Sequence, residues 1–121
     1  MSKSITRVGI DLAKNVFQVC ASTHSGHIIY NKKVSRRQLP LMLAQIPPCE
    51  VIMEACAGAH YWSRVFTRQG HSVKLIHPAY VKPYVRTNKN DAADAEALCE
   101  AASRPRMRYV KAKGLDQQDI Q

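Results

Sequence analysis

Short apolar runs separated by polar turns dominate the first third of the chain. Residues 6–12 alternate, with apolar side chains on one face and Gly9 and Asp11 on the other, which is the period of a β-strand. Residues 16–21 and 27–34 are two further β-rich runs, and the loops between the three are too short for a crossover helix. The pattern therefore predicts an antiparallel meander of three strands.

The rest of the chain alternates between helical and strand patterns. Two buried strands are predicted at residues 51–54 and 72–76. Three helices are predicted, over residues 36–46, 59–69 and about 91–103. The order β-β-β-α-β-α-β-α is that of an α/β fold of the ribonuclease H type, a mixed five-stranded sheet with flanking helices. We expect residues 1–113 to form this domain and the polar residues 114–121 to begin a helical, coiled-coil region.

The nine acidic residues are unevenly placed, and four of them fall at ends of predicted elements. Asp11 lies on the first strand and Glu54 ends the fourth, while Asp91 and Asp94 share one face of the last helix. If the two strands are neighbours and the helix crosses their ends, the four carboxylates converge. A divalent cation such as Mg²⁺ would relieve their repulsion, so the pattern predicts a catalytic metal site.

Each acid also has a purely structural interpretation. Asp91 and Asp94 could cap a helix and interact with its positive end. Asp11 could be exposed on an edge strand. Only the joint placement of the acids on the predicted fold favours the metal site over these alternatives.

The charge balance predicts nucleic-acid binding in addition to the metal site. Lys and Arg number 18 against nine acids, a net charge of +9 with a pI near 9.7, which favours a nucleic-acid partner. A basic surface would hold a phosphate backbone while the acidic pocket acts on it. Each basic run could equally be a solvated face. The predicted nucleic-acid-binding residues are Lys14, Lys82, Arg86, Lys89, Arg104, Arg106 and Arg108.

Other classes of protein are disfavoured by composition. The uncharged, proline-containing stretch at residues 38–49 is too short to span a bilayer, so no membrane partner is expected. The N-terminus has no apolar run of signal-peptide length, which predicts a cytoplasmic protein. The four cysteines form no C-x₂-C pair and are predicted to be buried, reduced thiols.

Three motifs carry a family resemblance that spans nearly the whole chain. They are VGIDLAK at residues 8–14, MEACAGA at 53–59 and NKNDAADAEA at 88–97. Together they resemble the signatures of the DEDD transposases of bacterial insertion sequences. These enzymes are related to the Piv invertases and include the bridge-RNA-guided recombinases.

The resemblance implies a RuvC-like domain whose four acids are Asp11, Glu54, Asp91 and Asp94. These would bind Mg²⁺, with Mn²⁺ as a substitute, and assist DNA strand cleavage and exchange during transposition. The implied partners are DNA, structured guide RNA and, in the full-length protein, further copies of the chain near the bacterial nucleoid. Family members continue through a coiled coil into a domain with a nucleophilic serine, so this chain alone is expected to lack complete activity.

Two alternatives stay open on the residues themselves. A nucleic-acid-binding module whose acids no longer support chemistry would bind without a metal. The sequence GIDL at residues 9–12 also occurs at the start of sugar kinases and actin-like ATPases, which share the fold core. Those enzymes need a glycine-rich turn after the first strand, and residues 13–15 contain no glycine.

Overall fold

Six strands form one mixed sheet in the computed structural model, which describes residues 4–13, 15–86 and 90–112. The strands are β1 (Arg7–Leu12), β2 (Val16–Ser22), β3 (Ile28–Ser35), β4 (Glu50–Glu54), β5 (Ser72–Ile76) and β6 (Tyr109–Val110). Their order in the sheet is β3-β2-β1-β4-β5-β6. Lys14, Lys89 and the predicted domain boundary after residue 113 lie outside the described residues.

The pairing of the strands confirms the predicted meander. β1 pairs with β2, and β2 with β3, in antiparallel fashion, whereas β1 pairs with β4, and β4 with β5, in parallel. β1 is therefore a central strand, so Asp11 does not lie on a sheet edge. Because parallel strands end at the same side of a sheet, Asp11 and Glu54 follow the paired residues Ile10 and Met53 side by side.

The helices follow the predicted order with small shifts of their ends. They are α1 (Gln38–Gln45), α2 (Ala57–Arg68), α3 (Pro78–Val81) and α4 (Asp91–Ser103), with a 3₁₀ turn at Lys82–Tyr84. α1 begins two residues later than predicted, so Pro40 falls in its first turn, where its missing N–H costs no hydrogen bond. α4 has the predicted bounds.

Three details of the prediction were wrong. Residues 77–89 were predicted to be irregular, but α3 begins there with Pro78 at a position that suits proline, and the His77 ring accepts a hydrogen bond from the Ala79 N–H. The sheet gains β6, a two-residue strand too short to show a period. Cys56 is exposed just before α2, whereas the other three cysteines are buried as predicted.

The two faces of the sheet are packed differently. α1 and α2 cover one face, where Phe66 and Trp62 of α2 pack with Phe17 of β2. Trp62 is a core residue, as expected. α4 covers the other face with small residues such as Ala95 and Cys99. Within the described ranges, none of the helices combines the length and hydropathy needed to span a bilayer.

Candidate metal centre

Three carboxylates meet where β1 ends and α4 begins. One carboxylate oxygen from each of Asp11, Asp91 and Asp94 lies within 4.8 Å of the other two. The two aspartates of α4 occupy its first turn, one helical turn apart on the same side. We call these three residues the acidic cluster.

The start of α4 is fixed by a cap that leaves the aspartates available. The Asn90 side chain accepts a hydrogen bond of 2.8 Å from the Ala93 N–H, and the Asn90 carbonyl accepts one of 3.0 Å from the Asp94 N–H. The capping role that Asp91 could have played therefore belongs to Asn90. The positive end of the helix still favours negative charge at Asp91 and Asp94.

Gly9 brings the helix close enough to complete the cluster. A Cβ atom at Gly9 would lie 2.5 Å from the Ala95 carbonyl oxygen and 3.0 Å from the Cys99 Sγ. Because the nearest obstacle is helix backbone, only glycine allows α4 to rest this closely on β1. The close approach sets the first turn of α4 beside Asp11, two residues further along the strand.

Glu54 lies next to the acidic cluster without belonging to it. It shares a cleft with Asp11 and Asp94, and α3 and the turn after it supply the other wall. That wall consists of Pro78, Val81, Lys82 and Val85. The structure thus brings the four predicted acids to one end of the sheet, three in close contact and one beside them.

The electrostatics of the site follow from crowding. Partial burial, followed by the charges of Asp94, Asp91 and Glu54 and a hydrogen bond with Asp91, raises the pKa of Asp11 to about 6. Burial also raises the pKa of Glu54, and Asp94 adds to this effect while His77 opposes it. Mutual repulsion of this kind is what a bound cation relieves.

The donor set fits a hard divalent cation. All the converging atoms are carboxylate oxygens, and such a set suits Mg²⁺ or Mn²⁺ better than metals that prefer sulfur or imidazole. The ring nitrogens and thiols of the described residues contribute nothing to the cluster. The acidic end of the sheet is therefore a candidate metal centre.

The predicted basic residues differ in how close they lie to the acids. Lys82 lies in the cleft with Asp11 and Glu54. Arg86 instead pairs with Glu96 at 3.2 Å and is 71% exposed. The three remaining described residues, Arg104, Arg106 and Arg108, follow the end of α4, about 20 Å from its first turn for a helix of this length.

Arg104 is also held by its neighbours. Its guanidinium lies 3.5 Å from a Glu100 carboxylate oxygen and above the Tyr84 ring, 5.3 Å from the centroid. Arg106 and Arg108 are exposed, and Arg106 has a positive φ of 67°. Among the predicted residues that the structure describes, Lys82 is the one beside the acids.

Two residues near the cluster were not among the predicted site residues. Gln18 pairs directly with Asp11 across β1 and β2, and Lys33 pairs with Gln18 across β2 and β3. Both line a cleft together with Asn90 and Asp91 at the start of α4. Strand alternation would have placed Gln18 on the Asp11 face once the hairpin register was known.

Comparison with known proteins agrees with this geometry. Residues 8–121 match the model of a transposase family, the DEDD transposases of the IS110 type. The chain is 51% identical over 118 residues to a probable family 20 transposase of Pseudomonas aeruginosa and 50% identical over 115 residues to the transposase for insertion sequence element IS1328 of Yersinia enterocolitica. It is 47% identical over 119 residues to the transposase for IS1111A of Coxiella burnetii.

The chain spans about a third of the length of these relatives. It aligns over 98%, 95% and 98% of its own residues with 35%, 34% and 33% of the three proteins, respectively. The match therefore concerns one part of each relative.

Two solved structures share the fold. A structure of Thermus thermophilus RuvC superposes with a TM-score of 0.62, covering 86% of this chain and 99% of RuvC. RuvC in complex with a Holliday junction substrate gives 0.61, covering 88% and 99%. Sequence identity is 12% in both cases, so the likeness concerns the fold alone, and it confirms the α/β, ribonuclease H-like class.

Proposed function

The chain belongs to the DEDD transposase family of the IS110 type, and we propose that it cleaves and exchanges DNA strands with the help of divalent cations. The observation that carries this proposal is the acidic cluster, in which three carboxylates approach within 4.8 Å at the end of a central strand. Carboxylates held this close repel one another, and a bound cation would offset that repulsion. Mg²⁺ is the proposed ion, with Mn²⁺ as its experimental substitute.

The chain's own residues would divide the work. Asp11, Asp91 and Asp94 would hold the cation, with Glu54 at its side, and Lys82 would attract a phosphate into the cleft. A bound divalent cation would supply electrostatic stabilisation to the charged oxygens of a phosphodiester displacement. The apolar wall of the cleft would limit the access of bulk water to the reacting phosphate.

The proposed substrate is DNA, and the whole chain's charge of +9 supports a phosphate-bearing partner. Structured guide RNA is a second proposed partner, since its phosphates would meet the same charges. We propose further that complete recombination, and association between copies, require the parts of the relatives that this chain does not span. The residues described would then supply the metal-dependent half of the site.

Calorimetric titration with Mn²⁺ tests the metal centre directly. Wild type is compared with Asp11→Asn, which removes one ligand, and with Glu96→Gln, which removes an acid of α4 that pairs with Arg86 and lies outside the acidic cluster. We expect binding by wild type and Glu96→Gln and at least tenfold weaker binding by Asp11→Asn. Equal binding by all three proteins would contradict the assignment of the acidic cluster.

The alternative, a binding module without chemistry, makes a different prediction. Such a module would bind DNA or RNA equally with Mn²⁺ or with EDTA and would show no Mn²⁺ titration. Binding that weakens steeply between ~50 and ~200 mM salt would support phosphate contacts in either case. Flat salt dependence would count against both interpretations.

A further inference from the structure

One row of polar residues crosses four strands beneath the start of α4. Gln18 of β2 lies between Asp11 of β1 and Lys33 of β3 in the register of the sheet. On β4, Glu54 follows Met53, the partner of Ile10, and so continues the row beyond the last paired residues. Directly opposed residues on one face of a sheet have Cβ atoms about 5 Å apart. The Gln18 side chain therefore begins beside the carboxylate that the acidic cluster is built around.

The hydrogen bonds of Gln18 fix which way its amide points. The Asn31 Nδ2 donates to the Ala92 carbonyl oxygen at 2.9 Å, and that oxygen can only accept. The Asn31 Oδ1 must then accept, and it does so from the Gln18 Nε2 at 2.8 Å. The orientation of both amides follows from one backbone carbonyl, and it leaves the Gln18 Oε1 as an acceptor.

This oxygen has no partner among the described residues. Gln18 is only 5% exposed, and its Oε1 is buried without a hydrogen bond. Buried acceptors are nearly always paired, because an unpaired one loses its hydration without compensation. Asn90, Asp91 and Lys33 line the same cleft, and none of them donates a hydrogen bond to this oxygen. A cation held by the neighbouring carboxylates, or a water molecule on that cation, would supply the missing partner.

We infer that the Gln18 Oε1 is a neutral oxygen donor of the cation site formed by Asp11, Asp91 and Asp94. It binds the ion itself or one of the ion's water ligands. An amide oxygen is a suitable ligand for Mg²⁺ or Mn²⁺, and it adds no charge to carboxylates that already repel one another. The inference rests on the proposed function, since it requires that the acidic cluster bind a cation.

Two variants separate the oxygen of Gln18 from its hydrogen bond. Gln18→Leu removes both the Oε1 and the bond to Asn31. Asn31→Ala removes the same bond, together with the bond to Ala92, but keeps the Gln18 Oε1. We expect Gln18→Leu to weaken Mn²⁺ binding about tenfold, as loss of such partners does elsewhere, and Asn31→Ala to weaken it less than about threefold.

Thermal unfolding in EDTA checks that both variants are folded before the titration. Unchanged Mn²⁺ affinity in Gln18→Leu, with wild type binding normally, would overturn this inference and leave the proposed function standing. Equal losses in both variants would also overturn it, because Gln18 would then act only by holding α4. Absence of Mn²⁺ binding in wild type would overturn the proposed function and this inference with it.

Discussion

The two faces of the sheet are packed in different ways and have different roles. The face under α1 and α2 is filled by large side chains, and Trp62 stacks on Phe66 with ring centroids 5.6 Å apart. The face under α4 has no such aromatic stack: α4 contributes mainly small side chains to it, and at Gly9 the strand has no side chain at all. The first face maximises buried apolar area, whereas the second minimises the distance between strand and helix.

This contrast explains how the fold supports a cluster of like charges. Burial of large side chains stabilises by about 1.5–3 kcal/mol each, so the aromatic face can offset an unfavourable site elsewhere. α4 contributes mainly small side chains, and this close seating brings Asp91 and Asp94 to Asp11. Stability and site geometry are thus assigned to opposite faces.

The largest effect is expected from truncation on the aromatic face. Phe66→Ala should lower the free energy of unfolding by about 3–5 kcal/mol, because Phe66 is fully buried against Trp62. Cys99→Ala, a truncation under α4, should cost about 1 kcal/mol. Urea unfolding of the two variants measures the difference. Equal costs would mean that the two faces contribute alike.

A methyl group at Gly9 should damage the other face. Gly9→Ala is expected to cost about 1–3 kcal/mol of unfolding free energy, since the Ala95 carbonyl cannot move without the helix. It should also weaken Mn²⁺ binding by displacing the first turn of α4. Gly58→Ala is the matched control, because no atom lies within 4 Å of its new Cβ, and it should leave both quantities nearly unchanged. A Gly9→Ala protein that binds Mn²⁺ like wild type would show that close seating does not shape the site.

Glu50, at the opposite end of β4 from Glu54, should make the stability of the protein depend on pH in the acid range. Burial raises the pKa of Glu50, but hydrogen bonds from Lys74 and Arg7, both at 2.6 Å, outweigh it and hold the pKa below its usual range. A lowered pKa means that the unfolded chain binds more protons, so this stabilisation is present above the unfolded value near 4.5 and is lost as pH falls through the folded value.

Glu50→Gln should therefore cost about 1 kcal/mol at pH 7 and progressively less as the pH is lowered below 4.5. Urea unfolding across pH 3 to 7 compares it with wild type, at roughly one-unit steps chosen to cover the titration of a carboxyl group. Glu96→Gln, whose ion pair with Arg86 is exposed, should change stability by less than about 0.5 kcal/mol at any pH. A constant cost of Glu50→Gln across this range would rule out the charge as its cause.

The smallest effect is expected at the acidic cluster itself. In EDTA, Asp11→Asn should raise the free energy of unfolding by up to about 1 kcal/mol, a figure reduced for solvent screening because Asp11 is only half-buried. The reason is that the substitution removes a carboxylate facing two others. Chemical unfolding without metal measures it. Destabilisation in EDTA would instead show that the Asp11 carboxylate makes favourable contacts in the folded state.

The sequence predicted those features that have a local period. Strand alternation around Asp11 and the capped, alanine-rich pattern after Asn90 were enough to place both elements. β6 and α3 were missed because two and four residues show no period, and Pro78 marks a loop as readily as the first residue of a helix.

The candidate site was predictable as far as its charged residues. Asp11, Glu54, Asp91 and Asp94 end or begin regular elements, and a common location followed from the strand order. Gln18 could not be found in this way, because its sequence neighbours are apolar and its position depends on the register between two strands.

The role of Gly9 could not be predicted either, because it depends on a contact between residues far apart in the sequence. Its role depends on a helix whose contacting residue, Ala95, lies in a distant part of the chain. A short stretch of sequence around Gly9 does not include Ala95, whose carbonyl oxygen makes glycine necessary there.

The seating of α4 also bears on the order of events in folding. The contacts that hold it join Asn31 to Ala92 and Cys20 to Cys99, residues 61 and 79 positions apart. Contacts that close such long loops are slow to form, so α4 should dock after the meander has assembled. A cation that binds only the docked form would then slow unfolding and leave the folding rate unchanged. Its effect would be to lengthen the lifetime of the native state.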